Sequence, residues 1–96
     1  MKVTVLTPAL REVIAALEYY EEQASGLARS LDADLTRSLE FVRENPHLGS
    51  PFQSGTRRIL LHRFPYIVVY KALEDEILVV AFAHQKQRPG YWRDRV

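Results

Sequence analysis

The chain has 96 residues, 13 Lys and Arg against 12 Asp and Glu, 47% hydrophobic residues and no cysteine. That is one small domain (1–96) with a single core, and it excludes disulfide scaffolds, thiolate zinc sites and cysteine nucleophiles. Pro8, Arg11 and Glu12 interrupt the N-terminus too early for a secretory apolar core, and no apolar run approaches the roughly 20 residues of a membrane span, so the expectation is a soluble, unprocessed, cytoplasmic chain with no membrane contact.

Lys2 to Leu6 reads as a short opening strand, because Val3 and Val5 alternate with Lys2 and Thr4. Thr7 is a candidate N-cap and Pro8 suits the first helical position. Leu10, Val13, Ile14, Leu17 and Tyr20 then recur at three- and four-residue steps, which predicts an amphipathic helix to about Gln23. Ser25-Gly26 breaks it. A second stripe, Leu27, Leu31, Leu35, Leu39 and Val42, makes the partner helix of an αα-hairpin, and both stripes serve a core. Asn45-Pro46 ends that helix, and Pro46, Gly49, Pro51 and Gly55 punctuate a loop.

From Arg57 the period becomes strand-like. Arg58 to Phe64, Tyr66 to Leu73 and Ile77 to His84 are three predicted strands, with Pro65 at the first junction and Glu74-Asp75-Glu76 at the second. Ile67 to Tyr70 and Ile77 to Phe82 are apolar on both alternating sets, so one face meets the helices and the other needs a cover. Two covers are available: the chain's own tail or a second polypeptide.

Charge is distributed unevenly: residues 1–56 carry five basic and eight acidic side chains, and residues 57–96 carry eight basic and four acidic. A basic second half fits nucleic-acid contact or an acidic partner segment, with ordinary solvated charge as the plainer alternative. The three histidines, His47, His62 and His84, fall in a loop and two strands without metal-ligand spacing, so neither a metal site nor a cofactor is expected. His84 opens the run to Trp92, in which Lys86, Arg88, Arg93 and Arg95 supply cations and Tyr91 and Trp92 supply flat faces for a base. The alternative is that Tyr91 and Trp92 fold back onto the open sheet face. Phosphate chemistry would need a base, a clamp and an acid, for which the candidates are His84 or Lys86, Arg58 or Arg88, and Tyr91 or His84.

Gly55-Thr56-Arg57-Arg58, Arg63-Phe64-Pro65-Tyr66, Val69-Tyr70 and Ala83-His84 with Arg88-Pro89-Gly90-Tyr91-Trp92-Arg93 and Arg95, in this order behind a helical hairpin, resemble the RelE/ParE superfamily of type II toxins over essentially the whole chain. The resemblance implies an α+β fold: a short N-terminal strand and a two-helix hairpin packed on a curved antiparallel sheet. It also implies a cytoplasmic toxin wrapped by a cognate antitoxin in a hetero-oligomer, with the antitoxin as cover for the second sheet face. Arg57, Arg58, Arg63, Tyr70, Arg88, Tyr91, Trp92, Arg93 and Arg95 are the candidate partner-binding residues.

RelE-like members cut mRNA on the ribosome with basic residues and a C-terminal Tyr, whereas ParE-like members poison DNA gyrase. The long hairpin and the Pro-Gly-Tyr-Trp tail look like the ParE side. Gln87 stands where related sequences often carry Arg, and no lysine lies between Asn45 and Thr56; a neutral amide does not replace a guanidinium at a developing phosphorane. The expectation is a non-enzymatic gyrase inhibitor, with a ribosome-dependent endoribonuclease, or a non-toxic antitoxin-binding remnant, as alternatives.

Overall fold

Two layers make up the computed structural model, which describes residues 1–96: a helical hairpin and a five-stranded mixed sheet. The elements are β1 (Lys2–Val5), α1 (Thr7–Gln23), α2 (Leu27–Glu44), β2 (Ser50–Pro51), β3 (Arg57–Leu60), β4 (Tyr66–Ala72) and β5 (Glu76–His84), with single 3-10 turns at Gln53–Gly55 and Arg93–Arg95. The strand order is β1-β5-β4-β3-β2. β1 runs parallel to β5 and every other pairing is antiparallel, so the fold class is as expected but the sheet is mixed.

The α2 stripe buries as its spacing dictates, but the α1 stripe is corrected: Leu10 and Ile14 are 46% and 47% exposed, and Ala9 and Ala16 join Val13 on the core face. Ala9, Val13 and Ala16 of α1 and Leu31, Leu35 and Val42 of α2 pack on Val68, Tyr70, Ile77, Val79 and Phe82 of the sheet. Gly26, at φ 91°, makes the turn between the helices, a backbone conformation that glycine adopts without a side-chain clash. Thr7 is the first helical residue and not the cap; Leu6 holds the cap position and no side chain caps the helix, while Pro8 sits in the first turn.

The first hairpin strand is shorter than its β-rich composition predicts, ending at Leu60. Asp34 of α2, only 2% exposed, accepts the backbone N–H groups of His62, Arg63 and Phe64 at 3.2, 2.8 and 3.3 Å. Those three amides are turned toward a carboxylate and away from the ladder, and Pro65 follows within the connection.

A bulge in β5 governs which side chains face where. Tyr70 pairs with Val79 and Val69 pairs with Ala81, leaving Val80 as the extra residue. Ile77, Val79 and Phe82 therefore all join the helix-side core, while Val80 and Ala81 pack with Val69 and Trp92 on the other face. Trp92 is 1% exposed, with Phe52, Ile67 and Tyr91 packed around this second cluster. Of the two covers left open, the tail is the one found: it folds back and seals that cluster itself, which corrects the implication of the resemblance that an antitoxin covers it.

Candidate functional site

The tail stays on the sheet because of one carboxylate. β1 ends at Val5, so β5 has no neighbouring strand on that side beyond Val79. Glu12, two turns into α1, reaches this gap. Its Oε1 accepts from Phe82 N–H at 3.0 Å, its Oε2 accepts from the Tyr91 hydroxyl at 2.6 Å, and Arg95 donates to both oxygens at 2.9 and 3.2 Å. Arg95 also donates to the carbonyl of Val80 at 3.1 Å and lies over the Tyr91 ring. Burial raises the Tyr91 pKa well above the ordinary tyrosine value, and the hydrogen bond and charge of Glu12 push it the same way.

Of the five residues proposed for phosphate chemistry, Arg58, His84, Arg88 and Tyr91 border one small cleft, but their side chains are engaged differently. His84 pairs with Tyr66 across the ladder and stands edge-on to its ring at 5.3 Å, on the helix side with Phe82. Its Nδ1 accepts the backbone N–H of Lys86 at 3.1 Å. Arg58 pairs with Val69 and lies on the opposite face, its guanidinium 4.5 Å above the Phe52 ring. Arg88 lines the cleft beside Arg58, Phe52 and Trp92, and Lys86 is exposed. The Tyr91 hydroxyl is engaged by Glu12. By strand register the His84 and Arg58 side chains belong to opposite faces, yet both residues border one small cleft with Arg88 and Tyr91.

The remaining expected partner-binding residues have varied surroundings. Tyr70 is wholly buried and its hydroxyl accepts from Gly49 N–H at 2.8 Å and donates to the Pro46 carbonyl at 2.9 Å, so it anchors a loop and has no surface to offer. Trp92 is likewise enclosed. Arg57 faces away from Arg58, as strand parity predicts, and donates to the Gly49 carbonyl at 2.7 Å. Arg63 is exposed in the β3–β4 connection, and Arg93 donates to Gln53 Oε1 at 3.2 Å.

A second surface lies between α2 and β3. Phe41, Leu48, Ile59, Leu60 and Leu61 line a groove of about 590 Å³, with Arg37 and His62 among its polar residues. Phe41, Leu48 and Leu60 are 52%, 54% and 61% exposed, an unusual clustering of large apolar side chains in water. β2 pairs only with Arg57 and Arg58, which leaves the outer edge of β3 open at Ile59 and Leu60. Sequence reasoning missed this groove, as it missed Glu12 and Asp34; an apolar residue at a strand end carries no sign of whether it will be covered. No group of three or more His, Asp or Glu side chains gathers in metal-binding geometry, and no helix is long and apolar enough to cross a membrane.

Residues 3–89 match the sequence model of the family described as ParE toxin of type II toxin-antitoxin system, parDE. Among solved structures, the fold is similar to one described as the chromosomal ParDE TA system from P. aeruginosa, with a TM-score of 0.77 and 18% identity over 88% of this chain and 95% of that one. No curated protein matches the chain.

Proposed function

The chain belongs to the ParE toxin family of type II toxin–antitoxin systems, and from that premise we propose that it inhibits DNA gyrase by binding it, without cutting RNA. The observation that carries the choice is that the candidate base and acid are both engaged: His84 Nδ1 accepts the backbone N–H of Lys86, and the Tyr91 hydroxyl donates to Glu12. Cleavage of RNA requires a base at the 2′-hydroxyl and a cation at the phosphorane within one site. Here the Nδ1 lone pair of His84 is taken by a backbone amide, which leaves the proton of the neutral ring on Nε2, and the candidate acid Tyr91 is held by a carboxylate.

ParE toxins pair with cognate ParD antitoxins. We assign the antitoxin to the groove between α2 and β3. An amphipathic segment would bury the exposed side chains of Phe41, Leu48 and Leu60, and an acidic residue on it would meet Arg37. The reading places both events in the cytoplasm, where gyrase works on DNA.

The deciding experiment uses toxin freed from antitoxin. Gyrase supercoiling and cleavage-complex assays are expected to show inhibition, while primer extension on translating ribosomes shows no new 5′ ends. Cuts in A-site codons with gyrase unaffected would overturn the proposal.

A further inference from the structure

Of the eight cations in residues 57–96, only Arg95 lies within 4.0 Å of a carboxylate. Arg57 is engaged with backbone carbonyls of the loop before β2. Arg58 and Arg88, both exposed, line one cleft with Phe52, Val69, Ala83 and Trp92. Arg93 is tethered to Gln53 Oε1 and does not line the cleft. The one carboxylate of the tail, Asp94, is exposed and makes no ion pair.

We propose that this cleft binds the phosphodiester backbone of a nucleic acid and reads none of its bases. Two guanidinium groups without carboxylate partners, Arg58 and Arg88, suit phosphate, whose oxygens accept paired N–H donors from the guanidinium fork. Arg58 already lies over Phe52, which in turn packs against Trp92 at 5.7 Å, and this contact reduces the side-chain freedom to be lost on binding. The cleft has a volume of about 80 Å³, on the order of two to three waters in the liquid, which fits one phosphate group at a time. Base stacking is absent from the proposal because its platforms are occupied: Trp92 is buried in the second core cluster and Tyr91 is bound to Glu12 and covered by Arg95. The inference goes beyond the gyrase reading and stands without it, since naked nucleic acid is the ligand.

The test is fluorescence anisotropy of the full-length chain with a short labelled duplex DNA and, separately, a single-stranded RNA of equal length, over a salt series. Two neutralised phosphates, one in the cleft and its neighbour at the mouth, give log K against log salt a slope of about −1.8 for duplex DNA and about −1.4 for the single strand, with no dependence on base sequence. Whichever arm binds more tightly identifies the source of the phosphates. Arg58→Gln and Arg88→Gln are each expected to flatten the duplex slope by about 0.9, whereas Arg63→Gln, on the β3–β4 connection, leaves it unchanged. Trp92 emission reports that each variant is folded, and Arg58→Lys, which keeps the charge, should retain the slope. No binding at low salt, a slope indifferent to Arg58 and Arg88, or binding confined to an acidic peptide would each overturn the proposal.

Discussion

Glu12 and Arg95 stand 83 positions apart and meet through two hydrogen bonds at the open edge of β5. Together they replace a missing strand: Glu12 accepts the Phe82 N–H and Arg95 donates to the Val80 carbonyl, which β1 is too short to reach. An unpaired edge invites pairing with another chain, and a charged pair laid along it removes that template. Both side chains are about one-fifth exposed, at 20% and 21%, so solvent shields their attraction only in part.

Replacing Glu12 therefore costs more than one ion pair. Glu12→Ala orphans Phe82 N–H and the Tyr91 hydroxyl and leaves Arg95 uncompensated, which is expected to destabilise the fold by about 3 kcal/mol. Glu12→Gln keeps one acceptor and is expected to cost about half as much. Urea titration measures both. Because Trp92 is the only tryptophan and sits under the tail, a red shift of its emission before global unfolding would mark release of the tail.

Alkaline pH acts on the same clasp. Burial, first, and then Glu12 raise the pKa of Tyr91 in the folded chain, so above the ordinary tyrosine value of about 10 the unfolded chain loses this proton before the folded one does. The stabilisation is complete below that value and declines as the pH rises toward the folded one. Tyr66, raised mainly by burial, adds a decline of the same sign. In alkaline denaturation monitored at constant urea, Tyr91→Phe should show a shallower loss of stability than the parent, with the remaining slope due to Tyr66. An identical slope in both would contradict the role given to Tyr91.

What was legible in the sequence follows the range of the forces involved. Both helices are written in local periodicity, and in α2 spacing alone assigns Leu31, Leu35 and Val42 to the core, whereas in α1 the same spacing picks Leu10 and Ile14, which remain exposed while the small Ala9 and Ala16 pack inward. The place of Pro65 follows from its missing N–H. The bulge at Val80 is not legible, because Val79-Val80-Ala81-Phe82 reads the same whether or not one residue slips; the slip shows only in the pairing with β4. Glu12 and Asp34 are not legible as buried acceptors, since the amides that recruit them come from segments distant in sequence. Trp92 was open to either reading, and its burial depended on a turn through Gly90, at φ 84°.

Asp34 carries a second separable prediction. Its carboxylate satisfies three amides of the β3–β4 connection from inside the protein. Asp34→Ala leaves them without an acceptor in a partly buried site and is expected to cost about 2–4 kcal/mol, while Asp34→Asn, which keeps one oxygen, costs less. Hydrogen exchange should accelerate first at His62, Arg63 and Phe64. Uniform acceleration across the sheet would mean that the connection does not depend on Asp34.

Close approach, rather than backbone freedom, fixes Gly49. A Cβ there would lie 2.7 Å from the Tyr70 hydroxyl oxygen and 2.8 Å from the Arg58 carbonyl oxygen. Gly49→Ala is expected to cost about 1–3 kcal/mol as an overpacked site. Tyr70→Phe removes two hydrogen bonds of the loop and is expected to cost about 1–2 kcal/mol. Combining them should recover only part of the alanine penalty, because the clash with the Arg58 backbone remains; a double-mutant cycle in urea measures that residue of strain.

The groove between α2 and β3 makes the antitoxin and target surfaces separable by mutation. Leu60 is 61% exposed and Phe41 52%, so a charge at either is tolerated by the folded chain but would have to be buried under an antitoxin segment. Leu60→Glu and Phe41→Glu are expected to keep the parent urea midpoint within about 0.5 kcal/mol. Their affinity for the cognate antitoxin should fall by about 100-fold, corresponding to about 2.7 kcal/mol at a central contact. Like charge adds to the loss, since the partner that complements Arg37 is itself acidic. Cells co-expressing antitoxin with either variant should lose protection while the variant retains its inhibition of gyrase. Calorimetry on the purified pair gives the affinity directly, and undiminished binding by both variants would move the antitoxin to another surface.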